Sequence, residues 1–316
     1  MAKPDFPRSL PEFMRRFRDE EACFSYLLES RWAGGRFSCP GCGHGAAYRR
    51  KRRFLLECAK CRRLTSATAG TVMHGSRQPL ASWLLAAYLL VADKRGISAA
   101  QLQRTLGLHR HEVAYQMLHK LRAAMVAPGR ERLRGRIELD ETFLGAPKPG
   151  PAGRGALGKL YVLGAVEVRE GKPSRIRLRH IAEIANFQVL RFLHDNVERG
   201  STLLTDGASV YRPLKAEGWS HRIVRAKPEG GSGEEGLPMF HMAVSNLKRW
   251  LLGTFHGSVR ADHLQAYLNE FAFRFNRRGN LQAAFQTLLG IAPQVTGPTY
   301  AGLYTGAFVH PNSGRG

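Results

Sequence analysis

Four cysteines, two aspartates, a histidine and a lysine are the residues of this sequence whose types and spacing could do chemistry. Cys39-Pro-Gly-Cys42 and Cys58-Ala-Lys-Cys61 are two CxxC pairs with fifteen residues between them. Two such knuckles bring four thiolates to the corners of a tetrahedron, the geometry Zn²⁺ takes at Zn–S distances near ~2.3 Å. Four thiolates leave no open coordination position, so the expectation is one structural zinc. Asp140 stands in Glu-Leu-Asp-Glu-Thr, and Asp206 in Leu-Thr-Asp-Gly. Hard divalent cations want oxygen ligands, so two carboxylates brought together would bind Mg²⁺ or Mn²⁺. A pair of such ions serves an in-line phosphoryl displacement. His241, Ser245 and Lys248 lie at i, i+4 and i+7, on one face of a helical pattern. An imidazole there could ligate metal or relay a proton, and the ammonium could hold a phosphate.

Elements must exist to position these groups. Around the cysteines, Gly41 and Gly43 permit tight turns, and Tyr48 and Phe54-Leu55-Leu56 are strand formers, which together read as a zinc ribbon. Cys23 sits in a helical pattern and is expected to be a small buried residue. Pro79 to Asp93 reads as a buried helix. Ser98 is a plausible N-cap for a short helix ending at Leu106-Gly107, and His109 to Met125 follows as a second helix. Helix, Gly-containing turn, helix is the arrangement that lays a second helix in the major groove of DNA. Its outward residues would include His109, Arg110, Gln116 and Lys120.

The second half changes character. Arg136 to Gly145, Lys159 to Val168 and Ser174 to Ile181 alternate as strands, and Phe187 to Val197 is helical. Thr202 to Asp206 makes a fourth strand, and Arg222 to Ala226 a short fifth. Three strands, helix, strand, then helix is the order of an RNase H-like fold with a mixed sheet. In that fold the acids of the first and fourth strands, here Asp140 and Asp206, converge at one edge. The fold class expected is therefore multidomain: a zinc ribbon and an all-α helix-turn-helix region, followed by an α/β RNase H-like domain. The boundaries read as a helical segment over 1–34, the ribbon over 35–66, helices over 67–130, the α/β domain over 135–280 and a tail over 281–316.

Composition narrows the partner. The 316 residues carry a formal charge of +23. Residues 1–134 hold 25 basic and 10 acidic residues, against 23 and 15 in the remainder. That imbalance points to a polyanion, with most phosphate contacts in the first part. Arg49, Arg50, Lys51, Arg52 and Arg53 form the densest basic cluster and are expected to touch DNA. Hydrophobic residues make up 43%, enough for packed cores, so wholesale disorder is excluded. The longest apolar run, Trp83 to Ala92, is too short to span a bilayer. The N-terminus lacks the apolar stretch of a secretory signal, so a cytoplasmic, nucleoid-associated protein is expected.

Taken together, CPxCG…CxxC, TAGTVMH, ELDET, LTDG, VSNLKRWLLGTFHG and FRFNRR resemble one group over most of the chain. That group is the bacterial insertion-sequence transposases with a zinc ribbon and an RNase H-like DDE core. The resemblance implies metal-dependent DNA cleavage and strand transfer with double-stranded element ends and target as partners. It further implies a homo-oligomer when ends are paired, and no small-molecule cofactor. The residue seven before the helix lysine is the family's third catalytic position, which places His241 there ahead of Lys248. This departs from the Glu of the general pattern, although the branch accepts Glu, Asn or His. Glu234, Glu235 and Asn246 are the alternatives nearby. A DNA-binding regulator, a decayed element, or a nuclease without strand transfer would share parts of the same sequence.

Overall fold

The computed structural model describes the chain apart from residues 1–6, 8, 33–35, 51–54, 146–158, 225–235, 258, 293–294 and 314–316. It divides into two units, Met1–Ala127 with Arg277–Phe308, and Pro128–Asn276 with Val309–Gly316.

The first unit opens with α1 (Leu10–Arg16) and α2 (Glu20–Arg31), capped by the side chains of Ser9 and Asp19. An antiparallel sheet follows, with β2 (Leu55–Cys58) between β1 (Ala47–Arg50) and β3 (Leu64–Ser66). Helix α3 (Leu80–Ala92) buries Leu80, Trp83, Leu84, Ala87, Leu90 and Val91. Its N-cap, Pro79, has no side-chain acceptor for the unpaired N–H groups of the first turn. Glu20 of α2 supplies it, accepting from Leu80 N and Ala81 N at 2.9 Å each. The next helix, α4 (Ala99–Leu106), is capped by Ser98 and ends at Gly107; α5 (His111–Ala123) buries Ala114, Met117, Leu118 and Leu121.

The second unit is α/β. Its strands are β4 (Arg136–Leu144), β5 (Leu160–Arg169), β6 (Lys172–Ile181), β7 (Thr202–Thr205) and β8 (Ser220–Ile223). Helix α6 (Asn186–Asn196) precedes β7; α7 (Pro238–Phe255) and α8 (Ala261–Phe275) follow β8. The sheet runs β6-β5-β4-β7-β8, with β6–β5 and β5–β4 antiparallel and β4–β7 and β7–β8 parallel. The fifth strand starts at Ser220, two residues before its expected position. Side chains alternate between faces with period two. On β4, Ile137 and Leu139 enter a core with Val189, Phe192 and Leu193 of α6. Leu144, with Val162, Val166 and Leu204, enters the opposite core with Phe240, Ala243 and Leu247 of α7 and Leu268 of α8. Even-numbered residues of β4 therefore face α7.

After Asn276 the chain re-enters the first unit with α9 (Leu281–Ile291) and α10 (Tyr300–Tyr304). Phe285 of α9 joins Phe13, Phe17, Tyr26 and Tyr88 in an aromatic cluster, with ring centroids 6.3–6.4 Å away. The segment expected as a tail thus contributes core to the N-terminal unit. No described helix is long and apolar enough to cross a membrane.

Candidate active site and zinc centre

The β1–β2 hairpin pairs Ala47 with Cys58 and so carries the second knuckle back beside the first. The sulfurs of Cys39, Cys42, Cys58 and Cys61 all lie within 4.8 Å of one another, with Cys39–Cys61 at 3.5 Å and Cys42–Cys58 at 3.6 Å. A tetrahedral zinc–thiolate centre requires sulfurs about 3.8 Å apart, so the four fit one Zn²⁺ in a closed, structural site. Backbone N–H groups of Gly41 and Cys61 point at the sulfurs of Cys39 and Cys58, at 3.4 and 3.5 Å. The N–H of Cys61 is the chief cause that draws the Cys58 thiol down to about 6. Cys23 is fully buried away from this cluster, and burial lifts its thiol to about 12.

The basic residues expected to meet DNA divide into several groups. Arg49 pairs with Glu21 at 2.5 Å and lies 4.4 Å over the Phe24 ring, while Arg50 donates to Glu57 at 2.6 Å. Lys51, Arg52 and Arg53 lie outside the described residues. His109 and Arg110 are exposed at the start of α5. Arg110 and Gln116 line a cleft of about 510 Å³ with Glu112, Val113 and Tyr300. Lys120 does not point outward as its spacing suggests. It is buried, and its ammonium donates to the His74 carbonyl at 2.7 Å. The turns over 71–75 and the stretch around Gly297 cover that part of α5, and a Cβ at Gly297 would stand 2.9 Å from Lys120 Cγ.

In the second unit, Asp140 lies on β4 and Asp206 directly follows β7, its parallel neighbour. The parallel pairing of β4 with β7 ends at Glu138 with Leu204, two residues short of Asp140. Asp140 shares the β4 face of Glu138 and Leu144, toward α7. Asp140 Oδ1 accepts from Glu141 N at 2.8 Å, and Asp206 Oδ1 from Ala208 N at 2.9 Å, which orients both side chains. Gly207 makes the turn after Asp206 at φ +84°, where a Cβ would also strike Ile223 at 2.7 Å. Buried Tyr211, in the 3-10 helix Ser209–Lys215, reports on the clustering of charge. Its phenol is raised well above its ordinary value, first by burial, then by the charges of Glu141, Asp140 and Asp206.

His241, Ser245 and Lys248 are exposed on α7 and fall within an arc of about 60° at 3.6 residues per turn. Trp250, on the opposite side of the helix, packs on Phe271 of α8 at 5.9 Å, and α8 lies over β6. The His241–Lys248 flank therefore lies on the side of α7 away from its contact with α8. Lys248 also lines a cavity of about 540 Å³ with Phe143 and Leu144 at the end of β4. Asn246 binds Arg249 on the solvent side at 2.8 Å, and Glu234 and Glu235 lie outside the described residues. Carboxylate oxygens such as those of Asp140 and Asp206 are the donor type a hard divalent cation takes.

The sequence reading missed the roles of two further acids in ELDET. Glu138 is buried at 2% exposure and accepts from Phe240 N, in the first turn of α7, at 2.7 Å. Its carboxyl is raised by burial, against the pull of the Phe240 and Met239 N–H groups. Glu141, on the other face, accepts from the Tyr211 hydroxyl at 2.5 Å. The alternation of β4 could have assigned their faces; their partners, 102 and 70 residues away, have no local signal.

Residues 132–276 match the ISXO2-like transposase domain, and residues 18–64 match the transposase zinc-ribbon domain. No curated protein matches the chain. The first match falls on the α/β unit and the second spans the four cysteines, so the chain belongs to the insertion-sequence transposases with an N-terminal zinc ribbon. The matched α/β domain is of the DDE type, that of metal-dependent DNA transposases.

Proposed function

We propose that this chain binds the ends of its insertion sequence and carries out DNA cleavage and strand transfer at Asp140, Asp206, His241 and Lys248. The observation that supports this most is that Asp206 directly follows β7, the parallel neighbour of the strand that carries Asp140, and that the charges of both act on the buried Tyr211. The sheet order, with its first and fourth strands adjacent and parallel, supports an RNase H-like reading of the domain. Asp140 and Asp206 would hold Mg²⁺ or Mn²⁺, which when bound stabilises charge on the attacking and leaving oxygens. His241 completes the site from the helix side, and Lys248 grips a non-bridging phosphate oxygen of the strand being cut. In the first step water attacks phosphorus, the P–O3′ bond breaks, and a proton ends on the leaving oxygen, giving a 3′-OH and a 5′-phosphate. In the second, that 3′-OH attacks a target phosphodiester and displaces the target's own 3′ oxygen.

The helices α4 and α5 act as a helix-turn-helix, with His109, Arg110 and Gln116 at the DNA. Arg49 to Arg53 on the ribbon add phosphate contacts. Pairing two ends calls for at least two copies of the chain. The test is incubation of the full-length protein with DNA carrying the sequences that flank its gene, with Mg²⁺ or Mn²⁺. Cleavage and joining should vanish in Asp140→Ala and Asp206→Ala while end binding persists. Wild-type protein that binds the ends and never cuts would favour a regulator instead.

A further inference from the structure

We propose that Glu138 and Glu141, the glutamates on either side of Asp140, are positioning residues, each tying to β4 the element that carries another active-site group. The inference rests on the reading of Asp140, Asp206 and His241 as the active site. Helix α7 begins with no side-chain cap from its N-cap residue, Leu237, so its first-turn N–H groups need an acceptor from elsewhere. Glu138 reaches it from the strand of Asp140 and accepts from Phe240, the residue before His241. A charge-assisted bond out of contact with water holds its geometry more tightly than a solvated one.

The packing around that bond leaves no slack. Gly164 is the β5 partner of Asp140, and a Cβ there would stand 2.8 Å from the Phe240 ring and 2.9 Å from Leu178. The absent side chain lets the first turn of α7 settle on the sheet at the level of Asp140.

Glu141 does the same on the other face. The Tyr211 hydroxyl donates to it at 2.5 Å, and Tyr211 is fully buried in the 3-10 helix that starts three residues after Asp206. The bond pins the segment leaving Asp206 to the strand that carries Asp140. One strand thus presents three acids in three roles, and in both flanking residues the carboxylate is engaged by another element.

The experiment follows nicking of a supercoiled plasmid carrying the gene's flanking sequences by full-length protein, across a range of Mn²⁺ concentrations. Asp140→Ala and His241→Ala serve as reference arms and should be inactive. Glu138→Ala should lose on the order of 10–100-fold in rate, the scale of a misplacement near 1 Å. Glu138→Gln, whose amide oxygen still accepts from Phe240, should recover most of that loss. Tyr211→Phe, which keeps the ring and removes the hydroxyl, should need more Mn²⁺ yet approach the wild-type rate at saturation. Wild-type rates and Mn²⁺ requirement in both Glu138→Ala and Tyr211→Phe, with the reference arms inactive, would overturn the inference. Equal losses in Glu138→Gln and Glu138→Ala would overturn it too, because the charge rather than the acceptor would then matter. Activity retained in a reference arm would bring down the underlying reading instead.

Discussion

Gly164→Ala tests how closely α7 must sit on the sheet. The new methyl would lie 2.8 Å from Phe240 Cε2 and 2.9 Å from Leu178 Cδ2. Apolar carbons rest about 3.5–4.0 Å apart, so relief needs a retreat of roughly 0.7 Å or more by one or both side chains. Overpacking of this kind costs about 1–3 kcal/mol. The substitution also restricts the unfolded chain, which returns about 0.4–1 kcal/mol. The net loss, between about 0 and 2.6 kcal/mol and about 1.3 at the centre, would lower the melting temperature of the α/β unit by a few degrees, roughly 3–5 °C. The effect on activity should be much larger. Phe240 adjoins His241, and a displacement approaching 1 Å at an active-site group costs up to ~100-fold in rate. The assay is a thermal melt of the full-length variant beside Mn²⁺-dependent plasmid nicking. The expected pattern is a small stability loss with a disproportionate loss of nicking. A variant with unchanged melting and unchanged nicking would refute the close seating of the first turn of α7.

Cys58→Ser should reduce bound zinc from one per chain to none, measured by atomic absorption, and unfold the ribbon while the α/β unit keeps its own transition. Glu167 is buried on β5, and burial raises its carboxyl; Arg175, the Arg134 N–H and Arg169 outweigh that and hold it below the ordinary value. Because the folded value is depressed, its stabilisation is present above the unfolded value of about 4.3 and is lost as pH falls through the folded one. Melting temperature should therefore fall less steeply below about pH 4.3 in Glu167→Gln than in wild type. Arg110→Ala should lower the slope of log affinity against log salt for DNA binding by about 1, whereas Lys120→Ala should leave it unchanged. A reduced slope in Lys120→Ala would contradict the burial of its ammonium.

What was legible in the sequence is what local periodicity and spacing encode. The CxxC pairs specify the cysteine cluster because a tetrahedron of thiolates needs little beyond two tight turns. The alternation in Arg136 to Leu144 reveals a strand, and Ser98 and Gly107 bracket α4 through local backbone chemistry. Lys120 shows where this reading ends. Spacing places it in line with Gln116 on the outer face of α5, yet segments distant in sequence, around Gly75 and Gly297, fold over it. Glu20 and Glu138 escaped notice for a related reason: each accepts from the first turn of a helix, at Leu80 of α3 or Phe240 of α7, that lies 60 or 102 residues away. The return of Phe285 to the N-terminal aromatic cluster likewise depends on the chain path after α8, which no periodicity records.

The most direct test of the central claim is the position of Mn²⁺ in crystals of the full-length protein bound to element-end DNA, read from its anomalous scattering. Density is expected between the carboxylates of Asp140 and Asp206, on the face of β4 that meets α7. Density at Glu141 on the opposite face, or density that survives replacement of both aspartates by alanine, would contradict that claim.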